Sequence, residues 1–333
     1  MRLKVLLLCL FLSACSGLNQ GARFRLTSVS WRDVPGWRQD NLREALPAVL
    51  RTCERAPEDL ISFCQKLNRH IHDDNESLRK FFEQNLTPYR VTSHGSSVGR
   101  ITGYYEAEMT GSRERENGAQ IPVYGLPDNY EVGKKTDTRA EIEEQCLNAP
   151  VLAWADDPVE LFIAQVQGSA RMTTPSGEVI HLGYAGNNGY PFTGIGSILK
   201  KEGIQGVNSM PEIRQFLQEN PIEAIGYMRQ NKRYIYFREI QGETPYGTAE
   251  VVLTPERSVA VDTNFIPMHT LMFLSTTKPD KTPVQKMVVA QDTGAAIKGA
   301  IRADYFFGHG EDAFQTAGQM NQAGSYYILM PKG

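Results

Sequence analysis

Short apolar segments separated by turns fill the last third of this 333-residue chain and limit its fold more than any other feature. Most are rich in β-branched residues and are predicted to be strands, at residues 234–237, 249–253, 259–261, 271–274, 284–290 and 326–329. Many short strands with few helices between them are typical of a β-barrel. The sequence therefore predicts a mainly β protein whose helices are peripheral.

Helical periodicity dominates the chain before its first predicted strand. Apolar residues recur at helical spacing over residues 40–53, although Pro47 should weaken or kink that helix. Two further amphipathic helices are predicted to begin at Pro57 and near Asn75. All three helices are interpreted as scaffold.

The middle of the chain mixes strands and helices. Strands are predicted at residues 98–108, 161–166 and 179–183, and helices around 139–146, 195–203, from 209 and from 221. Strand-rich material lies on both sides of residues 107–240, which are therefore predicted to be an inserted domain. Residues 31–106 and 241–333 would then form one domain of scaffold helices and barrel.

The first residues have the composition of an export signal. A basic start at residues 1–4 precedes an uncharged apolar run that ends in Leu12-Ser13-Ala14-Cys15. Those last four residues resemble the cleavage box of bacterial lipoproteins, which predicts a signal peptide over residues 1–14 and a lipidated Cys15. A plain signal peptide with an incidental cysteine is the alternative.

A lipid anchor would leave the rest of the chain free of the bilayer. Residues 15–30 are predicted to be the lipidated cysteine and a polar tether, and the acyl chains would supply the anchorage. Ser16, rather than an aspartate, follows the cysteine and predicts onward export to the periplasmic face of the outer membrane.

Net charge and cysteine content limit which ligands and cross-links the chain could have. The formal net charge of −3 argues against nucleic acid as the main partner. In an oxidising periplasm Cys53 and Cys64 could pair, leaving Cys146 as a buried free thiol. A two-cysteine metal pair is the rival interpretation, but neither histidine nor acid lies at ligand spacing.

Three aspartates end predicted strands of the C-terminal part or follow them closely, namely Asp262, Asp292 and Asp304. A glycine-punctuated loop separates Asp292 from Asp304, and aromatic residues follow Asp304. Such surroundings can raise a carboxyl pKa, although each aspartate could equally cap a helix or make a turn. Signatures of serine hydrolases, P-loops, zinc proteases and dinucleotide sites are missing from the sequence. A carboxylate-based site without metal or cofactor is predicted.

Two segments combine aromatic and small polar residues as carbohydrate sites do. Thr102, Gly103 and Tyr104 end a predicted strand, where a tyrosine face could stack on a sugar ring. Tyr184 and Asn187 belong to a predicted loop at 184–191 whose amides suit a neutral carbohydrate. The alternatives are a tyrosine-rich core strand and an Asn-Gly hairpin turn.

These segments, in their order and spacing, resemble the membrane-bound lytic murein transglycosylase A (MltA) family. The matching motifs are Thr102-Gly-Tyr-Tyr, Val166-Gln-Gly-Ser, Tyr184-Ala-Gly-Asn-Asn-Gly, Val261-Asp, Ile266-Pro, Gln291-Asp-Thr-Gly and Arg302-Ala-Asp-Tyr-Phe-Phe-Gly. Alanine stands at 295 and 303, where the family often has glycine, which bears on loop geometry and leaves the carboxylates untouched.

The resemblance implies a double-psi β-barrel with a second β-rich domain inserted, and a groove between them for a glycan strand of peptidoglycan. It implies that Asp304 is the single catalytic acid and that Asp292 supports it. Groove-lining positions expected from the resemblance and the sugar-binding segments are Thr102, Gly103, Tyr104, Gln167, Gly168, Ser169, Tyr184, Asn187 and Asp262.

The implied reaction is cleavage of the β-1,4 bond between N-acetylmuramic acid and N-acetylglucosamine with formation of 1,6-anhydro ends, in cell-wall turnover. The alternatives are a glycoside hydrolase on the same barrel and a non-catalytic peptidoglycan-binding lipoprotein. Cell-wall synthesis or division proteins are conceivable partners that the sequence does not identify.

Overall fold

The structure is a computed structural model that describes residues 24–116, 120–145, 147–242 and 244–332. The predicted signal peptide, Cys15 and Cys146 lie outside these residues. Strands are β1 (Phe24–Ser28), β2 (Leu86–Ser93), β3 (Gly99–Ser112), β4 (Ile121–Tyr124), β5 (Val151–Ala155), β6 (Ser169–Thr173), β7 (Val179–Asn187), β8 (Ile235–Glu239), β9 (Ser258–Val261), β10 (Leu271–Thr277), β11 (Pro283–Asp292), β12 (Arg302–His309) and β13 (Asn321–Pro331). Helices are α1 (Leu42–Glu54), α2 (Glu58–Leu67), α3 (Asn75–Asn85), α4 (Arg139–Glu144), α5 (Pro158–Gln167), α6 (Ile195–Lys201), α7 (Met210–Glu219), α8 (Pro221–Gln230) and α9 (Glu311–Gln319).

All of these strands join through one hydrogen-bonded path, so the fold is mainly β with helices around it, as predicted. The path runs β1-β2-β13-β10-β11-β9-β12-β3-β6-β7-β8, and β5 with its partner β4 branches from β3. Within this path β13 also pairs with β3, between Asn321–Gly324 and Gly99–Thr102. The strands β13, β10, β11, β9, β12 and β3 therefore form a closed circuit of pairings.

The long strand β3 connects two regions of the molecule. Its first half pairs in parallel with β12, and its second half, from Ala107 to Thr110, pairs in parallel with β6. On the β6 side, alternate residues such as Ala107 and Met109 face a core shared with α5 and α6 to α8. Because β3 carries residues of both regions on one continuous strand, their relative position is fixed along its length.

The first three helices pack on the outer face of β10, β11 and β13 through a separate apolar core. Helix α1 continues through Pro47. Arg257 lies 2.9 Å from Asp40, which also accepts a 2.7 Å hydrogen bond from the Met287 amide. A disulfide joins Cys53 to Cys64 between α1 and α2, with their Cα atoms 5.5 Å apart. These contacts fix the helical scaffold to β11.

Residues 161–166, predicted to be a strand, belong to helix α5, so that prediction was wrong. Asp157 caps this helix by accepting hydrogen bonds from the Val159 and Glu160 amides, and Pro158 occupies its first turn. Gly168 ends it in the left-handed conformation at φ +86°. A short apolar run has no periodicity of its own, and these caps decide in favour of a helix.

Three smaller predictions also need correction. Residues 24–28 of the predicted tether form β1, because Phe24 and Leu26 pack on the apolar core that contains Val259 and Val288 while the backbone pairs with β2. Strand β7 continues to Asn187, four residues into the predicted 184–191 loop. Residues 249–253 form turns with an isolated bridge at Val252 instead of a strand.

No helix in the described parts of the chain is long and apolar enough to cross a membrane.

Candidate active site

The parallel pairing of β3 with β12 places Thr102 directly opposite Asp304. The Thr102 hydroxyl donates a short hydrogen bond to Oδ1 of Asp304. Arg302 Nη2 donates a 2.8 Å hydrogen bond to the same Thr102 oxygen. Since a guanidinium only donates, Thr102 must accept from Arg302 and direct its single hydrogen to Asp304. Oδ1 of Asp304 is therefore fixed as an acceptor.

Asp304 is partly buried and keeps its proton more readily than an ordinary aspartate. Burial raises its pKa most, and the nearby negative charge of Asp292 raises it further. The hydrogen bond from Thr102 and the charge of Arg302 act in the opposite direction without reversing the shift. The carboxyl is thus suited to act as a proton donor.

Asp292, at the end of β11, accepts more hydrogen bonds than Asp304. Its Oδ1 accepts from the Thr248 amide at 3.0 Å, the Thr248 hydroxyl at 2.8 Å and the Thr293 amide at 2.8 Å. Burial raises its pKa, while these hydrogen bonds oppose the shift by favouring the charged form. The residue before it, Gln291, is buried and anchors the strand end to α1 through Ala48 and Thr52.

Tyr104 follows Thr102 on the same face of β3 and approaches both carboxylates. Its hydroxyl is buried, lies near enough to Asp292 to interact with that carboxyl, and makes no hydrogen bond of good geometry with the described residues. Burial raises its pKa well above the usual value, and the charges of Asp292 and Asp304 add to the effect. The hydroxyl therefore remains protonated and can donate to a ligand.

These groups line a cavity of about 520 Å³. Of the residues predicted to bind substrate, six line it with Asp292 and Asp304: Gly103, Tyr104, Gln167, Gly168, Ser169 and Tyr184. At Gly168 a side chain would meet open space, so bare backbone faces the cavity. A cavity of this size is in the range that small-molecule and oligosaccharide ligands occupy.

Gly103 has a packing role in addition to its place in the cavity wall. A Cβ atom there would lie 2.8 Å from Cα of Ala317 and 2.7 Å from the Phe307 ring. The missing side chain lets α9 approach β3 closely. Substitution at Gly103 would therefore displace the strand that carries Thr102 and Tyr104.

Besides Thr102, which contacts Asp304, two of the predicted substrate-binding residues are not part of the cavity wall. Asp262 is 4% exposed, and its carboxylate accepts from the Asn264 amide and, at 2.8 Å, from the Gly299 amide. Burial would raise its pKa, but these hydrogen bonds lower it. Asp262 thus anchors the loop between Asp292 and Asp304. The Asn187 amide donates to the Tyr184 hydroxyl and accepts from the Gly189 amide, so it orders its own turn.

The sequence reasoning missed several residues of this site. Arg302 could have been found, because residues two apart on a strand share a face and Arg302 precedes Asp304 by two. Thr248 and the cavity-lining arginines Arg233 and Arg238 come from segments without any local signature of a site. Only the fold brings them to the cavity.

Two family models match the chain in adjacent stretches. The "MltA specific insert domain" matches residues 100–238, and the "3D domain" matches residues 257–330. The first stretch contains Thr102 and the cavity-lining residues Arg233 and Arg238. The second contains Asp292 and Asp304. The cavity is thus lined by residues from both matched stretches.

Relatives and solved structures agree with these models. A "Membrane-bound lytic murein transglycosylase A homolog" of Buchnera aphidicola is 30% identical over 241 residues, which are 69% of this chain and 66% of that protein. The lytic transglycosylase LtgG of Burkholderia pseudomallei is 39% identical, with 93% of this chain and 96% of that one covered and a TM-score of 0.67. MltA of Neisseria gonorrhoeae is 30% identical, with 93% of each chain covered and a TM-score of 0.83.

A further structure, Escherichia coli MltA with bound chitohexaose, is 23% identical with a TM-score of 0.76, covering 93% of this chain and 95% of that one. At that identity it shows a shared fold.

Fold and site together define a β-rich protein with an insert domain beside a carboxylate-bearing 3D domain. The chain belongs to the membrane-bound lytic murein transglycosylase A family. The match spans just under two thirds of the length of the Buchnera relative, at 66%.

Proposed function

We propose that this protein is a lytic transglycosylase that cleaves the β-1,4 bond between N-acetylmuramic acid and N-acetylglucosamine in peptidoglycan glycan strands. The observation that carries the proposal is the carboxyl of Asp304. It is partly buried, faces a cavity, and has a raised pKa with a neutral hydroxyl as its hydrogen-bond partner. The names of the related proteins, which are murein transglycosylases, supply the substrate class.

Asp304 is the general acid in this proposal. Because Thr102 donates to Oδ1, the acidic proton resides on Oδ2 and passes from there to the glycosidic oxygen. The bond from that oxygen to C1 of the muramic acid breaks, and the N-acetylglucosamine unit leaves with the proton. C1 is left with oxocarbenium character.

Asp304 then acts as the base. Its carboxylate takes the proton of the muramic acid C6 hydroxyl as that oxygen bonds to C1, which closes the 1,6-anhydro ring. The carboxyl regains its proton and no water is consumed. Glycosidases ordinarily need a second carboxyl as nucleophile or to activate water, a role that the substrate's own hydroxyl fills here. Asp292, with three donors on Oδ1, remains charged and stabilises the cationic sugar.

The cavity wall provides the glycan site. The Tyr104 hydroxyl makes no hydrogen bond of good geometry with the described residues, and in this proposal it donates to the sugar. Gln167 uses its side-chain oxygen to accept from the Tyr105 amide at 3.3 Å, which leaves its NH₂ group free to donate. Gly168 and Ser169 offer bare backbone and a hydroxyl, and Tyr184 an aromatic face. Binding of chitohexaose by the Escherichia coli relative supports an oligosaccharide in this place.

The proposal also covers the domain architecture of the protein and its location in the cell. The closed circuit of six strands supports a double-psi β-barrel formed by residues 31–106 and 241–333, with residues 107–240 inserted and a glycan groove between the two domains. Cys15 carries the lipid anchor in this proposal, at the periplasmic face of the outer membrane of a Gram-negative bacterium. The names of membrane-bound relatives support that location.

Digestion of purified sacculi tests the reaction. The expected products carry 1,6-anhydro-muramic ends, which mass spectrometry identifies because they are lighter by one water than reducing ends. Reducing ends would instead identify a hydrolase. Binding of sacculi without release of soluble fragments would identify a non-catalytic wall-binding protein and overturn the proposal.

A further inference from the structure

The acidic and the basic residues that line the cavity come from different stretches of the sequence. The carboxylates Asp292 and Asp304 come from the stretch matched by the 3D domain. The cavity-lining arginines Arg139, Arg233 and Arg238 come from the stretch matched by the insert. The remaining acidic lining residue, Glu250, lies 3.6 Å from Arg55. A ligand in the cavity can therefore meet both carboxylates and guanidinium groups.

Arg139 uses four of its five N–H donors within the protein. It is 2% exposed and donates to Gln165 at 2.6 Å, to Glu143 at 3.2 Å and to two backbone carbonyls. One of these carbonyls belongs to Arg233, at 2.9 Å. Arg139 thus holds the backbone that carries Arg233, and its charge is paired with Glu143.

Arg238 and Arg233 are different, because neither has a carboxylate partner within the described ranges. In those ranges Arg238 makes no hydrogen bond or ion pair, although it is exposed at the cavity wall. Its neighbour Glu239 is held by Arg113 at 2.7 Å and does not neutralise it. Arg233 is half-buried and uses one nitrogen to donate to the Tyr190 carbonyl at 3.0 Å.

The residues beside Arg238 on the neighbouring strands are small. Arg238 pairs with Gly183 on β7, and Gly183 pairs in turn with Ser169 on β6. The Ile240 side chain packs over Gly183, and Arg238, Gly183 and Ser169 all line the cavity that holds Tyr104 and the carboxylates. Two guanidinium groups without a carboxylate partner in the described ranges, set in a partly enclosed cavity, attract an anion, and their planar donors match the geometry of a carboxylate.

We propose that Arg238, assisted by Arg233, binds a carboxylate of the glycan substrate and thereby selects muramic acid over uncharged sugar. This inference rests on the proposed function for the identity of the glycan. Muramic acid bears a lactyl group whose carboxylate is free in strands without peptide. In peptide-bearing strands that group is an amide, and the carboxylates belong to the peptide. Arg238 and Arg233 are specificity determinants and take no part in bond cleavage.

Direct binding measurements on Arg238→Gln, Arg233→Gln and the wild type test the proposal. The three ligands are chitohexaose, which has no carboxylate, glycan strands freed of peptide, and peptide-bearing strands. For Arg238→Gln we expect the dissociation constant of a carboxylate-bearing glycan, relative to that of chitohexaose, to rise by about tenfold or more. Arg233→Gln should show a smaller rise, and Arg238→Lys should recover part of the loss. The wild-type preference should weaken as salt is raised.

The matched control is Arg38→Gln, which removes an exposed arginine that does not line the cavity. A selective loss with peptide-free strands assigns the lactyl carboxylate, and a selective loss with peptide-bearing strands assigns the peptide. Equal changes for all three ligands, or no change in either cavity variant, would overturn the proposal. Product analysis is a separate readout, so a wild type that forms no anhydro ends would refute the proposed reaction and leave the binding result intact.

Discussion

Asp304 and Asp292 both line the cavity and are both partly buried, and burial raises the pKa of each, yet their surroundings differ. Asp304 on β12 has one hydroxyl donor, from Thr102. Asp292 at the end of β11 has three donors on one oxygen, from Thr248 and Thr293. Hydrogen bonds to a carboxylate favour its charged form, so the pair is asymmetric.

The asymmetry assigns the two roles. Two nearby carboxylates titrate as a coupled pair, and hydrogen bonds to one of them favour its charged form. In the proposed mechanism Asp304 holds the proton and Asp292 carries the negative charge, which raises the pKa of Asp304. The proposed acid and the proposed anion are thus the same residue type in different hydrogen-bond and charge surroundings.

The largest expected effect follows from removing the acid. Asp304→Asn keeps the shape of the side chain but cannot donate the proton, so we expect kcat/KM on peptidoglycan to fall by about 10²–10⁴-fold. Release of soluble muropeptides measures this loss. The variant should still bind glycan strands, because the remaining cavity wall is intact.

Asp128→Asn is the matched control for that experiment, since Asp128 is exposed and does not line the cavity. It should retain wild-type activity. If the Asp304→Asn variant kept most of its activity, Asp304 would not be the general acid. The difference in hydrogen-bond donors between Asp304 and Asp292 would then have no role in catalysis.

Removing the charge of Asp292 should lower the rate less than removing the acid Asp304. Asp292→Asn should lower the rate by roughly tenfold, equivalent to about 1.4 kcal/mol of lost charge stabilisation in the transition state. Because the charge of Asp292 raises the pKa of Asp304, its removal lowers that pKa. The alkaline limb of the kcat/KM profile should therefore move to lower pH. A profile that stays in place would show that the two carboxylates are not coupled.

Removing the Thr102 hydroxyl should move the profile the other way. Its hydrogen bond lowers the pKa of Asp304, so Thr102→Val raises that pKa and keeps the acid protonated to higher pH. We expect a loss of rate of only a few-fold, with the alkaline limb displaced upward. Thr110→Val, at an exposed position of the same strand, is the control and should leave the profile unchanged. Displacements of the same sign in the Thr102 and Asp292 variants would contradict the assignment.

Much of the fold follows from local sequence signals. Periodicity predicts α1 to α3, and β-branched runs predict β9, β10, β11 and β13, because those segments bury one face or both against a single core. The failure at residues 161–166 has a local cause, since Asp157, Pro158 and Gly168 carry the helix signals outside the apolar run. Helix α9 was not predicted and is fixed by tertiary packing against Gly103.

The site is only partly visible in sequence. Its two carboxylates follow strands and could be named, and the family resemblance assigns their roles. The donors that distinguish them could not be found in that way, because Thr102 precedes Asp304 by about 200 positions and Thr248 belongs to an irregular segment. Long-range strand pairing brings these groups together, and no spacing along the chain encodes it.

The smallest expected effect concerns stability, and it compares the two carboxylates without any substrate. The native state raises the pKa of Asp304 above that of the unfolded chain, about 3.9, so the native state binds the proton more tightly. Native stability therefore falls as pH rises from the unfolded value to the raised native value, and the penalty persists above it. An asparagine side chain does not titrate, so Asp304→Asn should raise Tm at pH 7 by on the order of 2 °C, and the gain should shrink toward pH 4. Asp292→Asn should gain less, because three donors already stabilise that anion. Calorimetric scans of both variants and the wild type across this pH range measure the difference in Tm. A larger gain for Asp292→Asn would show that folding raises the pKa of Asp292 more than that of Asp304.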